Sequence, residues 1–196
     1  MGDTRHGGPR SLRAIAAFVA GALLAGMLAA CGGPQAQEPA PGQGTRTTSG
    51  QVEPDGRSFP PWPAPTDVRA RVASAGLDLG PMGTAEHYHP HLRIIVNGNE
   101  VTVPANIGVD PATGSMSALH THESDGTLHI EADRAGEVFT LGQLFIQWGV
   151  KLTPTQIGGV HAKDGQRVTL SSNGTPVAGD PTMLGLEPEQ RIVLEL

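Results

Sequence analysis

Apolar and polar positions along the chain fall into stretches of different period, and each period predicts a different element. Val68, Val72 and Ala75 recur at helical spacing behind Thr66-Asp67, an N-cap signal, and stop at Gly76, which predicts a short helix. Leu92, Ile94 and Val96, then Val101 and Val103, alternate with polar residues around Asn97-Gly98-Asn99, the pattern of a tight hairpin. Residues 117–122 and 127–131 alternate likewise and predict a second hairpin, turned by 123–126. Leu141, Leu144, Phe145 and Trp148 return to the helical period, with Thr140 as cap and Gly149 as stop. Strands are expected over 167–171 and 191–196, the first followed by a turn at 172–175 around Asn173-Gly174. Mostly antiparallel strands with two short helices define a small α+β domain, placed at 66–196. No internal repeat of fixed period is visible.

The first 65 residues lack such patterning. Residues 14–30 are an unbroken run of 17 small and apolar residues behind Arg5, Arg10 and Arg13. A spanning helix needs about 20, so the run is short for one, and residues 1–30 are expected to be a signal peptide. The run ends in Leu28-Ala29-Ala30-Cys31, which resembles the lipobox of bacterial lipoproteins. That resemblance implies cleavage before Cys31, a diacylglyceryl group on its thiol, and a chain held at the extracytoplasmic face of the cell membrane. Two acyl chains anchor stably where one is marginal. Losing three Arg and one Asp with the leader would lower the net charge by two from −6, so electrostatics would not hold the protein on an anionic membrane. Residues 31–65 carry eight prolines among Gly, Gln, Thr and Ser, which predicts a lipid-anchored, disordered linker. Its aromatic residues, Phe59 and Trp62, either dock on the domain or stay exposed.

Net charge −6 removes the basic footprint of a nucleic-acid binder. One cysteine excludes an internal disulfide framework and a cysteine-based zinc finger. The oddity is eight histidines, six of them between His87 and His129. His87, His89 and His91 alternate, which on a strand puts them on one face with Arg93 and Ile95 and turns Leu92, Ile94 and Val96 to the core. Pro90 removes a ladder donor, so this strand start is expected at an edge or unpaired. In the second hairpin, any register whose partners sum to an odd number puts His120, His122, His129 and Glu131 on one face. Leu119, Thr121, Leu128 and Ile130 then share the other. Directly opposed side chains lie about 4.5–5.5 Å apart at Cβ, within reach of one shared ion.

Neutral imidazole is a common ligand for zinc and copper. Three histidines drawn from these strands would make a three-nitrogen set. The fourth position is open to Glu123, Glu131, Glu86, Asp125, water, or a thioether from Met82 or Met116, the last favouring Cu(I). The expected ligands are therefore His87, His89, His91, His120, His122, His129, Glu131 and Glu123, and the ion copper or zinc. Arg93 on the same face opposes this unless a carboxylate occupies it. His161, alone, reads as structural.

From 87 to 149 the chain resembles a family of exported or membrane-anchored bacterial proteins. The matching runs are HYHPHL at 87–92, VPANIGV at 103–109, LHTH at 119–122, GTLHIE at 126–131 and FTLGQLF at 139–145, followed by Trp148-Gly149. The resemblance implies a location and no particular chemistry. The cupin pattern, with its spaced Glu and Gly, does not align. Three functions fit: a metal-binding lipoprotein that passes an ion to a membrane transporter or another envelope protein, a metal-dependent enzyme on the same cluster, or a structural envelope protein. No helical His-Glu-x-x-His motif, nucleophile elbow, phosphate loop or dinucleotide fingerprint supports an enzyme.

Overall fold

The computed structural model describes residues 52–196; the leader, Cys31 and the linker up to residue 51 lie outside them. In chain order the elements are α1 (Val68–Ser74), β1 (Leu79–Gly80), β2 (Glu86–Tyr88), β3 (His91–Val96), β4 (Asn99–Val101), β5 (Met116–Ser117), β6 (Leu119–His120) and β7 (His129–Ala132). They continue with α2 (Leu141–Trp148), β8 (Leu152–Thr153), β9 (Gln156–Ile157), β10 (Val160–His161), β11 (Thr169–Ser172), β12 (Thr175–Pro176), a 3-10 turn (Pro181–Met183) and β13 (Arg191–Glu195). Two helices with short, mostly antiparallel strands make a small α+β domain.

Local chemistry accounts for the predicted elements. Asn97 and Gly98 adopt φ of 50° and 75°, and Asn173 and Gly174 of 51° and 79°. Two successive positive φ values make the tight turn whose twist matches paired strands, closing β3–β4 and β11–β12. In α2 the Thr140 hydroxyl accepts from Gln143 N, and Gln143 Oε1 accepts from Thr140 N. Gly149 then ends the helix at φ 81°. Asp67 occupies the N-cap of α1, yet its carboxylate accepts from Arg71 Nε at 2.6 Å rather than from a backbone N–H.

The five-stranded sheet runs β12-β11-β13-β3-β4, with β13 parallel to β3. Its Leu92, Ile94, Ile192 and Leu194 join Leu119 and Ile130 of a second sheet and the apolar face of α2 in one buried cluster. That second sheet, β2-β7-β6, carries the histidines. Pro90 separates the two: β2 ends before it in one sheet, and β3 begins after it in the other. The parallel β3–β13 pairing and the small β8–β9–β10 sheet are features that local periodicity did not foretell.

The expected linker boundary at residue 65 is too late. Residues 55–63 pack on the domain: Asp55 bridges Val150, Trp148 Nε1 donates to Pro63 O at 3.0 Å, and the Trp62 ring meets Trp148 edge-on at 5.9 Å. Proline density marks poor helix and sheet formers, but one well-placed indole buries enough apolar surface to hold an extended strap. Trp62 is 3% exposed, whereas Phe59 stays 67% exposed. Trp62→Ala is expected to cost about 3 kcal/mol or more of unfolding free energy in urea. An unchanged midpoint would show the strap to be dispensable.

Candidate metal centre

The site lies on one face of the β2–β7–β6 sheet, and register places it row by row. His120 stands directly opposite His129, and Leu119 opposite Ile130. On the other side of β7, His87 stands opposite Glu131, and two residues further that register brings His89 to His129. The opposite face is apolar and fully buried through Leu119, Leu128 and Ile130. The odd-sum register expected of the second hairpin is thus the observed one.

The rings meet closely. Centroid separations are 4.7 Å for His87–His89 and His89–His129, and 4.6 Å for His120–His122 and His122–His129. His120 and His129 stack at 5.4 Å. One donor atom each from His120, His122, His129 and Glu131 lie within 4.8 Å of one another, and the same holds for His87, His89 and His129. These groups could hold a metal ion.

Hydrogen bonding prepares the donors. His120 Nδ1 sits 2.8 Å from Ser117 O, a carbonyl that can only accept, so Nδ1 carries the proton and Nε2 keeps its lone pair. That Nε2 lies 3.0 Å from His122 Nε2. Two nitrogens on one tetrahedral zinc stand about 3.3 Å apart, so a cation between them could replace the shared proton with a shift of a few tenths of an ångström. Glu131 is 7% exposed, and its Oε2 has no hydrogen-bond partner among the described residues. A buried carboxylate oxygen without a donor is costly unless a cation faces it. Glu131 Oε1 lies 3.4 Å from His87 Nε2, and Glu123 Oε2 lies 3.3 Å from His129 Nε2.

Other expected candidates fall elsewhere. His91 belongs to neither donor group. Past Pro90 it lies one step further along, opposite Thr127, exposed and beside Gly126. Strand parity is right for it, but the reach is too long. Glu86 Oε1 accepts from Gly136 N, and Asp125 Oδ1 from Thr127 N, so both are engaged. Arg93 pairs with Glu100 at 3.0 Å, removing its charge as an objection. His161 is exposed in β10, away from the cluster's sheet.

Neither periodicity nor donor chemistry singled out the supporting residues, although Gly108 and Thr121 lie in the runs at 103–109 and 119–122. Thr121 points away from the cluster; its hydroxyl donates to Pro104 O at 2.8 Å and accepts from Ile107 N at 3.0 Å. The run at 103–109 thereby clamps the backbone between His120 and His122. Gly108 sits at φ 72°, and a Cβ there would come within 2.8 Å of Leu119 O. Gln147 of α2 donates to that same carbonyl at 3.1 Å, fixing β6 from behind.

No protein-family model, curated protein or solved structure matches the chain. Fold and site together define a small α+β protein with a histidine–glutamate cluster able to hold a metal ion.

Burial pushes the His120 imidazole down to about 4, with the neighbouring imidazoles adding to the effect, and burial lowers His129 as well. The folded state therefore prefers neutral His120, and the stability this represents is complete above the ordinary value of 6.5 and lost as pH falls from there toward 4. For metal-free protein, urea unfolding should show free energy rising by up to about 1.4 kcal/mol per pH unit across that window. His120→Asn should flatten the rise; an unchanged slope would show that His120 does not set it.

Proposed function

We propose that this protein is an extracytoplasmic, membrane-anchored lipoprotein that binds copper or zinc through its histidine cluster and presents the ion to a membrane transporter or another envelope protein. The observation that carries the reading is the meeting of His120 Nε2, its lone pair fixed by Ser117 O, with His122, His129 and Glu131, whose Oε2 has no hydrogen-bond partner among the described residues. Imidazole with carboxylate suits zinc and Cu(II), and Met116, which lines a cavity with Glu131, keeps Cu(I) in the comparison.

Binding and exchange are favoured over catalysis. His87 and His122 are exposed, so an ion here stays within reach of a partner. The cavity that Glu131 lines, about 220 Å³ and walled by Asp78, Asp133, Arg134 and Glu137, is lined by none of the cluster's histidines. Cys31 supplies the anchor in this reading, on the strength of its lipobox.

Calorimetric titration of protein made without a histidine tag, using Zn(II), Cu(II) and Cu(I), tests the site. Wild type should bind tightly, and His120→Ala/His122→Ala should lose the tight binding step while keeping its circular dichroism spectrum. Equal binding by the double variant would remove the assignment. For the anchor, Cys31→Ser should move the protein from the membrane fraction to the soluble one. Retention in the membrane would overturn lipidation at that residue.

A further inference from the structure

The face offers more donors than one ion can use. His87, His89, His120, His122, His129 and Glu131 form two sets, each within 4.8 Å, that share His129. A tetrahedral ion takes four ligands, so a single ion leaves two of these six donors without a metal.

We infer that the cluster is a two-ion site, with one ion on His120, His122 and His129, a second on His87 and His89, and the Glu131 carboxylate between them. This rests on the metal reading above. The sheet supplies the spacing: β7 is the middle strand, His120 lies on one side of it, and His87 and His89 lie on the other. Neighbouring strands run about 4.8 Å apart, so ions seated in the gaps on either side of β7 would lie about 4.8 Å apart, within a small side-chain adjustment of the about 3.5–4 Å of paired metal ions. Two cations that close need an anion between them, and Glu131 occupies that place. Its Oε1 is 3.4 Å from His87 Nε2, on the second ion's side, and its Oε2 is buried without a partner among the described residues. Glu123, beside His129, adds a second carboxylate. The positions are unequal: Ser117 O orients His120 in a fully buried place, whereas the His87 side chain is 58% exposed. The ion on His87 and His89 is the weaker and faster to exchange.

The full chain, made without a histidine tag, is titrated with Zn(II) and Cu(II), with metal analysis after desalting and electron paramagnetic resonance of the copper form. Wild type should saturate at two equivalents, and His87→Ala/His89→Ala at one, with the tighter step retained. The exposure of His87 and partial exposure of His89 make this variant mild for folding. In the two-copper protein, coupling should depress the integrated signal and give a half-field transition, whereas the variant should give a full mononuclear signal. Saturation of wild type at one equivalent overturns the two-ion site, whether or not the variant binds less tightly. Absence of binding in both proteins overturns the metal reading itself.

Discussion

The site depends on how β7 pairs with its two neighbours. A strand alternates its side chains between faces, so a slip of one residue on either side would bury histidines and expose leucines. Leu119, Leu128 and Ile130, all fully buried, forbid that slip. The apolar face thus sets the register, and the register sets the histidines. Holding polar side chains together in this way needs no favourable interaction among them, which matters where like-charged imidazolium rings would repel.

How much was legible follows from which forces are local. Helix caps and tight turns act within a few residues, and Thr140, Gln143, Gly149 and both Asn-Gly turns could be read directly. The two-residue period likewise gave the histidine face. What periodicity cannot supply is distance: it put His91 on the correct face but not beyond reach of the others. Nor does it supply partners far along the chain. The parallel β3–β13 pairing and the packing of Trp62 on Trp148 are decided by the whole core, and composition alone assigned residues 52–65 to the linker.

The supporting shell was invisible for a related reason. Thr121, Gly108 and Gln147 are ordinary residues in their own segments. They matter because 103–109, β6 and α2 converge on the backbone that carries His120 and His122. Outer contacts of this kind hold a ligand's orientation where the ligand alone would rotate freely.

Pro90 has a mechanical consequence. It lies where the chain crosses from one sheet to the other, and the stretch at 126–128 stitches both sides of the crossing: Leu128 N donates to Pro90 O and Leu92 N to Gly126 O, each at 2.8 Å. His87, in β2, and His89, beside Pro90, therefore sit at the end of their sheet next to this seam. The crossing thus ties the end of the strand that carries His87 to the first residues of the five-stranded sheet.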